Sequence, residues 1–307
     1  MSEKAKQAYL EFCENNEVPF YCKPTWVKAM TNGNWDVFGY KEAGKYIAYL
    51  PLEVKSKYGI KMAISPQMTT LNGLVYDLPH NLTNSKLFSK KRKIIENISF
   101  QLKNFHYVNF CVDEEYWLPF KWNGFDVKPI NMFSLNAHEP QQYHKSHKTL
   151  FKKSTEHHKI VDVDFETFTS LNEASFKNQG ANLPYEKERL KNALNKIGIE
   201  QNFLIKGIEN EKKDIVATAL FLKDHQKLYF LASGIDKELS IAGDQIQLID
   251  FGIREAIKEQ KEFCFYGSNK SSIAKFFERF SPIPKTYWNI IFSKGKGKLV
   301  EIKNQIS

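Results

Sequence analysis

Residues 227–291 contain the pattern that decides the fold class. The segment begins with the β-rich run KLYFLASG at 227–234, which is followed by a polar loop containing Gly243. Apolar side chains then recur at helical spacing over 245–259, and the short apolar run FCFY at 263–266 predicts a second strand. A strand, a helix and a second strand in this order form a βαβ unit with parallel strands and a right-handed crossover. The pattern therefore predicts an α/β fold.

Two helix starts lie close to the strand ends of this unit. The first is at Gln245, two residues after Gly243, and the second follows the turn GSN at 267–269. The second helix is short, with one apolar stripe over 273–280, and a strand over 287–292 comes after it. Ligands of βαβ units gather at strand C-termini and helix N-termini, where unpaired N–H groups favour anions. We therefore expect any anionic ligand to bind near these two turns.

The first half of the chain repeats the order of elements in the second half. The pattern in the first half predicts a hairpin at 35–40 and 45–54, a strand at 60–64, a helix at 84–105, and strands at 106–112 and 125–135. In the second half it predicts helices at 142–154, 165–179 and 185–196, and strands at 202–208 and 214–222, before the βαβ unit. Repetition with little sequence identity indicates a tandem duplication.

The domain boundary is expected near 136–141, where polar residues and Pro140 interrupt the pattern. This predicts an N-terminal domain at 1–138 and a C-terminal domain at 139–307. The last strand, at about 288–304, is expected to pack on the first domain or to cross to it.

Bulk composition is that of an ordinary globular protein, with 307 residues, 42% hydrophobic and 26% charged. The N-terminal segment is mixed and charged, without the apolar core of a signal peptide, and no apolar run is long enough to span a bilayer. The four cysteines are far apart and show no CxxC spacing, which is typical of reduced thiols. These features predict a cytoplasmic protein.

The net charge of +9 is spread evenly along the chain. Residues 1–135 carry 17 Lys/Arg against 13 Asp/Glu, and residues 136–307 carry 27 against 22. A solvated basic surface explains this excess, and so does an anionic ligand such as a phosphate-bearing cofactor, a nucleotide-linked precursor or RNA. The even spread argues against a dedicated RNA-binding domain, and no DNA partner is expected.

The order of elements resembles the GNAT acyltransferase fold, and its duplication resembles the Fem peptidyltransferases and related FemAB-like acyltransferases. The most specific match is FCFYGS at 263–268, followed by the apolar stripe and Tyr287. Further matches are Trp26 after a Pro-Thr start, the segment from Ser65-Pro66 to Asn72-Gly73, and a basic helix start at 146–154. The resemblance covers nearly the whole chain. It implies two tandem GNAT-like domains, each a mixed, mostly antiparallel twisted sheet flanked by helices.

Two departures from the family pattern affect the site. Cys264 and Tyr266 stand where the family commonly carries acidic residues, so the family's carboxylates are missing from these two positions. The loop SIAGDQ at 240–245 lacks the full Gln/Arg-rich glycine motif by which GNAT enzymes hold the pyrophosphate of coenzyme A. Fem-type proteins are also degenerate in this loop, so the acyl donor stays open.

The resemblance implies transfer of an acyl or aminoacyl group to an amine-bearing or sugar-linked acceptor, for example a cell-envelope precursor. The donor would be an acyl-CoA, either acetyl-CoA or a longer one, or an aminoacyl-tRNA, which makes tRNA a candidate partner. The alternative is a non-catalytic binding or scaffold protein that retains the GNAT fold. No metal site is expected, because the HxxH at His144 and His147 lacks further ligands at suitable spacing.

Candidate site residues follow from the position of each motif. Tyr266 would protonate the leaving group, and Ser268 beside it is the second catalytic candidate. The predicted contacts of the cofactor lie on the first strand end, the loop and the two helix starts: Leu231, Ser233, Gly234, Gly243, Asp244, Gln245 and Asn269. Lys145, Lys148 and Lys152 share one helix face and would bind a substrate anion.

Each candidate also has an ordinary structural explanation. Tyr266 would be a packing residue of a core strand, and Gly234 and Gly243 would be loop glycines. Ser268 and Asn269 would cap the following helix. The three lysines would form a solvated face.

Overall fold

The computed structural model describes residues 3–79, 81–137, 142–198, 202–267 and 269–306. The helices are α1 Glu3–Asn15, α2 Pro24–Met30, α3 Asn84–Leu102, α4 Leu118–Trp122, α5 Lys145–His157, α6 Phe165–Lys177, α7 Lys187–Gly198, α8 Asp244–Lys258, α9 Ser271–Phe277 and α10 Gly297–Ile306. The strands are β1 Trp35–Glu42, β2 Lys45–Lys57, β3 Ile60–Ile64, β4 Val75–Tyr76, β5 Tyr107–Val112, β6 Asp126–Leu135, β7 Lys159–Asp162, β8 Phe203–Glu209, β9 Ile215–Lys223, β10 Lys227–Ile235, β11 Glu262–Phe265 and β12 Ile283–Ser293.

The chain forms two compact units. Unit 1 contains the residues up to Ile130 and those from Thr286 onward, and unit 2 contains Asn131–Lys285. The predicted boundary near 136–141 falls mostly on residues 138–141, which lie outside the described residues.

Unit 1 is built on a mixed sheet in the order β1-β2-β3-β5-β12, with β4 paired to β2. β1, β2 and β3 form an antiparallel meander, β3 and β5 are parallel, and β12 is antiparallel to β5. Its core packs α3 against the sheet through Ile94, Ile98, Phe38 and Phe110. Ile290 of β12 belongs to the same core, so the last strand of the chain contributes to unit 1.

Unit 2 repeats this arrangement in the order β6-β11-β10-β9-β8-β7. β8, β9 and β10 form the antiparallel meander, and β10 and β11 are parallel across the crossover helix α8. Residues 133–135 of β6 pair antiparallel with β11. Its core is rich in rings, including Phe221, Phe230, Phe263 and Phe265. The predicted fold class is confirmed: both units have a mixed, mostly antiparallel sheet with flanking helices.

Two predicted segments differ from the structure, and one strand was not predicted. The helix predicted at 142–154 begins at Lys145, because the His144 ring accepts a hydrogen bond from the Ser146 N–H as its N-cap. Strand β7 was not predicted, since its four residues become a strand only by pairing with β8. The strand predicted at 288–304 ends at Ser293. The chain then turns at Gly295, whose φ is +52°, and continues as α10.

Candidate functional site

The parallel strands β10 and β11 part at one end of the unit 2 sheet. Their pairing runs from Lys227 opposite Glu262 to Phe230 opposite Phe265, and the Tyr266 N–H donates to the Phe230 carbonyl at 3.2 Å. β10 continues to Ile235 along β9, with a β-bulge between Phe230 and Ala232. A bulge re-aims the backbone of its strand. The predicted carbonyl-polarising segment, Leu231 to Ser233, therefore lies at the point where the two strands separate.

Two of the predicted cofactor contacts are brought together at this strand end. The Gln245 side-chain Nε2 donates to the Ser233 Oγ at 3.0 Å, which ties the start of α8 to the end of β10. The Ser233 carbonyl accepts a hydrogen bond from Asn172 Nδ2 at 2.6 Å, and Tyr185 donates to the Asn172 Oδ1 at 2.6 Å. Burial raises the pKa of Tyr185, so its hydroxyl stays protonated as the donor. Asn172 and Tyr185 thus fix the backbone beside the bulge.

Gly234 and Gly243 are both positions of close backbone packing. A Cβ on Gly234 would lie 2.3 Å from the Asn172 N atom of α6, and a Cβ on Gly243 would lie 2.0 Å from the Leu150 carbonyl oxygen of α5. The φ of Gly243 is −92°, a value open to any residue. Steric exclusion, and not backbone conformation, therefore requires glycine at 243. Helix α5 occupies the space beside Gly243 that a side chain would fill.

A buried carboxylate, that of Asp244, lies in the first turn of α8. Asp244 is 0% exposed. Its Oδ2 accepts the Ile241 N–H at 2.8 Å, and its Oδ1 lies 2.7 Å from the Ser154 hydroxyl and 2.8 Å from His158 Nδ1. A carboxylate in the first turn of a helix offsets the positive end of the helix dipole.

A second carboxylate binds the earlier part of the same loop. The Asp236 Oδ1 accepts the N–H groups of Glu238 at 2.8 Å and Leu239 at 3.0 Å. The pyrophosphate of a coenzyme A molecule needs such N–H groups free, and it would meet the negative charges of Asp236 and Asp244. These two carboxylates therefore disfavour a pyrophosphate at this loop, which is the site that the resemblance implies.

Tyr266, Ser268 and Asn269 follow β11. Tyr266 is half-buried, and Gly267, with a φ of +87°, turns the chain after it. Ser268 lies outside the described residues. Asn269 does not cap α9, contrary to one expectation. Lys270 occupies the N-cap position, and the Asn269 Oδ1 accepts the Asn131 N–H at 3.0 Å.

The three lysines predicted to bind an anion are exposed on α5. Lys148 lines an open cleft of about 530 Å³, together with Tyr143, His144, Glu278 and Arg279. No sequence pattern indicates Arg279, which is 131 positions further along the chain; only the fold places it beside Lys148. Lys152 lies 3.8 Å from Glu156 in a weak ion pair.

The two histidines of the HxxH motif have different structural roles. His144 caps α5, and His147 is 0% exposed with its ring against Phe276 and Phe280. Burial, and then the nearby charge of Arg279, lowers the pKa of His147 to about 4, so the ring is neutral near pH 7. Throughout the described ranges, no three His, Cys, Asp or Glu side chains are close enough to hold a metal ion.

No protein-family model and no curated protein matches the chain. Several solved structures do match the chain. The chain is similar to the crystal structure of FemX, with a TM-score of 0.64, 8% identity and coverage of 94% of this chain and 96% of that one. The chain has a FemAB-like tandem GNAT fold. It is also similar to L-PGS from Bacillus licheniformis (TM-score 0.54, 10% identity, 93% and 96% covered).

A third similar structure is a tandem GNAT protein from the clavulanic acid biosynthesis pathway, with a TM-score of 0.50, 8% identity and 94% of each chain covered. These similarities establish the fold. The functional roles of the candidate residues stay predictions. Over the residues that the structure describes, no helix is long and apolar enough to cross a membrane.

Proposed function

We propose that this FemAB-like chain is an acyltransferase that moves an acyl or aminoacyl group from an activated donor to an amine on a small or sugar-linked acceptor. The supporting observation is the separation of β10 and β11 at the bulge, with the β10 end held by Asn172 and Gln245. Acyl transfer requires a polarised carbonyl, a deprotonated amine and a protonated leaving group.

The residues at this strand end would supply two of these functions. A backbone N–H from Leu231 to Ser233 would polarise the acyl carbonyl, because an N–H fixed at a bulge does not reorganise during the reaction. Tyr266, the residue that follows the last pair of the parallel ladder, would protonate the leaving group. Neither role needs covalent catalysis by the protein.

The phosphates of the donor are proposed to bind at α5 and not at the start of α8. Asp236 and Asp244 place two carboxylates in the α8 loop, whereas the α5 cleft has the cations of Lys148 and Arg279 against the single carboxylate of Glu278. This favours an aminoacyl-tRNA over an acyl-CoA held by a pyrophosphate loop. An acyl-CoA whose phosphates rest on Lys145, Lys148 and Arg279 is the second candidate donor.

A thermal-shift panel tests the proposal. The ligands are acetyl-CoA, a longer acyl-CoA, CoA alone, aminoacyl-tRNA and a UDP-linked muropeptide precursor. We expect a donor to raise the transition temperature, and Lys148→Ala with Arg279→Ala to reduce that shift. Lys153→Ala is the matched control, because Lys153 is exposed on the same helix and lies outside the cleft.

Transfer activity distinguishes the enzyme from a binding protein. With the donor that shifts the transition, Tyr266→Phe should lower the rate of transfer to an amine at least tenfold and leave the thermal shift in place. If no donor in the panel shifts the transition, the acyltransferase proposal fails.

A scaffold protein that retains the fold is the second candidate function. Cys264, which stands at a family acidic position, is buried, and burial raises the pKa of its thiol to about 12. It therefore supplies neither a base nor a nucleophile at neutral pH. Donor binding without any transfer would favour the scaffold.

A further inference from the structure

One end of the unit 1 sheet carries a cluster of basic side chains. Three segments supply it: the β2–β3 hairpin at 55–64, the end of α3 with β5 at 97–109, and the end of β12 with the start of α10 at 286–300. Together these segments contain seven lysines and no Asp or Glu. We call the basic residues on the α3 side of this sheet end the basic edge: Lys61, Lys103, His106 and Lys294.

Backbone hydrogen bonds hold the basic edge together around His106. The His106 N–H donates to the Lys61 carbonyl at 2.9 Å, and the Lys294 N–H donates to the His106 carbonyl at 2.9 Å. The Lys294 Nζ also donates to the Lys103 carbonyl. A Cβ on Gly297 would lie 1.9 Å from the His106 carbonyl oxygen, so the turn from β12 to α10 packs directly on this residue. The four basic residues are therefore neighbours, although 191 positions separate Lys103 from Lys294.

Lys61 and Lys294 point to the same side of the sheet. Ile60 packs on a small apolar cluster together with Val300 of α10. Successive residues of a strand face opposite sides of the sheet, so Lys61 faces away from α10. Ala63, two residues further on, lies in the core beneath α3. The Lys294 ammonium lies on that side too, because it binds the C-cap residue of α3.

The His106 ring adds an oriented N–H donor to the basic edge. Its Nδ1 accepts the Lys61 N–H at 3.0 Å, so Nδ1 carries no proton and the N–H of the ring is at Nε2. Within the described part of the chain, this Nε2–H has no protein partner. A fixed N–H beside ammonium groups is a combination that suits the oxygens of a phosphate group.

The cations of the basic edge are not neutralised by the described residues. Its three lysines take part in no ion pair there, and two of them are exposed. The carboxylates that flank the three segments have other partners. Glu53 pairs with Lys55 at 3.1 Å, and the Glu301 Oε2 accepts a hydrogen bond from the Ser293 hydroxyl. The basic edge therefore offers positive charge to an external anion.

We propose that the basic edge binds the phosphate backbone of RNA. Lysines that neutralise phosphates release counterions from a nucleic acid, and this release supplies much of the affinity. Phosphate oxygens also accept hydrogen bonds from oriented N–H groups, such as the one on the His106 ring. The choice of RNA rests on the proposed function, in which an aminoacyl-tRNA is the favoured donor.

Two exposed rings favour RNA over a lipid surface. Tyr58 is 87% exposed in the β2–β3 turn, where Tyr58 and Gly59 have φ values of +51° and +74°. Phe100 is 74% exposed and lies one turn before Lys103 on α3. No contact with another ring is found for either side chain among the described residues. Bases of single-stranded RNA stack on such separate, open rings, whereas lipid insertion uses a continuous apolar surface.

Fluorescence polarisation of a labelled deacylated tRNA with the full chain tests this inference. We expect binding that weakens steeply as salt is added. Lys61→Gln and Lys294→Gln should each lower the affinity about fourfold, and each should reduce the slope of log affinity against log salt by about one. Together they should lower it at least tenfold. Both side chains are exposed, so the variants should fold normally, which circular dichroism checks.

A change at His106 tests the N–H donor separately. His106→Asn keeps an acceptor for the Lys61 N–H and removes the Nε2–H. It should lower the affinity about threefold and leave the salt slope unchanged, because no charge is lost.

Leucine at the two rings separates base stacking from lipid insertion. Tyr58→Leu and Phe100→Leu keep an apolar side chain and remove the ring, so each should lower the RNA affinity about fivefold. Lys41→Gln is the matched control for charge. Lys41 is exposed near the end of β1 that lies opposite the β2–β3 turn. Its loss should change the affinity by less than about twofold.

Three results would overturn the inference. They are no binding of tRNA by the unmodified chain, full affinity in the Lys61→Gln, Lys294→Gln variant, and binding to phosphatidylglycerol vesicles without binding to RNA. Deacylated tRNA carries no acyl group, so the measurement does not depend on transfer. If no donor supports transfer but the double variant loses RNA binding, the proposed function fails and the inference stands. If the double variant binds tRNA and transfers from aminoacyl-tRNA like the unmodified chain, the inference fails and the proposed function stands.

Discussion

Replacing Gly243 by alanine tests whether this glycine serves helix packing or ligand approach. The loop of a pyrophosphate site uses glycine so that a ligand can come close to the backbone. In this structure the space beside Gly243 is filled by α5. An alanine Cβ would lie 2.0 Å from the Leu150 carbonyl oxygen and 2.7 Å from the Ser154 Cβ. The first contact is with backbone, so no side-chain rotation relieves it.

The expected cost follows from what must move. α5 has to retreat from α8 by more than 1 Å to restore a normal contact of roughly 3.4 Å between carbon and oxygen. Overpacking of this kind costs about 1–3 kcal/mol. The retreat also stretches the buried contacts of the Ser154 Oγ with the Asp244 Oδ1 at 2.7 Å and the Gln247 Oε1 at 2.6 Å, and losing the hydrogen bond that its one O–H donates costs about 1–3 kcal/mol. We therefore expect Gly243→Ala to lower the free energy of unfolding of unit 2 by about 3 kcal/mol.

The measurement must report on unit 2. All five tryptophans, at 26, 35, 117, 122 and 288, belong to unit 1, so their fluorescence does not follow the change. Urea unfolding followed by far-ultraviolet circular dichroism, with hydrogen–deuterium exchange of the α5 and α8 peptides, provides the measure. Gly180→Ala is the control, since Gly180 has a φ of +69° and open space around it. Its cost should be only the backbone strain of about 1–2 kcal/mol. If Gly243→Ala cost less than Gly180→Ala while weakening donor binding, the packing argument would be refuted.

Two further predictions concern buried titratable groups. Because His147 has a folded pKa of about 4, below the usual 6.5, its neutral ring should contribute its full stabilisation of unit 2 above pH 6.5. The free energy of unfolding of unit 2 should decrease by about 3 kcal/mol as the pH falls from 6.5 to 4. His147→Phe should remove this pH dependence in urea unfolding, whereas the same change at the exposed His157 should keep it. Burial raises the pKa values of Cys111 and Cys264 to about 12, so iodoacetamide should label both far more slowly in the folded chain than in urea. Mass spectrometry that found Cys264 labelled at its unfolded rate would contradict that burial.

The sequence predicts the order of elements well because the deciding signals are local. Helical periodicity over 245–259 and the apolar run at 263–266 correspond to α8 and β11, with each end shifted by one residue. The repeat of a meander, a helix and a parallel strand is equally local and appears in both units. β7 is different: it forms only where β8 provides hydrogen bonds, so its own four residues give little signal.

The candidate site is less predictable because its partners are distant in sequence. Asn172 reaches Ser233 across 61 positions, and Arg279 joins Lys148 across 131. No motif marks either pair. The two glycines illustrate the same limit: a sequence shows that Gly234 and Gly243 lack side chains, but only the fold shows which helix occupies the space.

The positions of charge around α8 and α5 bear directly on the donor. Asp244 offsets the positive end of α8, which removes the electrostatic reason for a phosphate to bind there. Lys145, Lys148 and Lys152 stay exposed on α5, the helix that packs over Gly243. If the phosphates of the donor bind at α5 and not at the start of α8, then Asp244→Asn should leave donor affinity nearly unchanged. It should still weaken the contacts with Ser154 and His158. Lys148→Ala with Arg279→Ala should lower the affinity and spare stability. The opposite pattern would return the phosphates to the α8 loop.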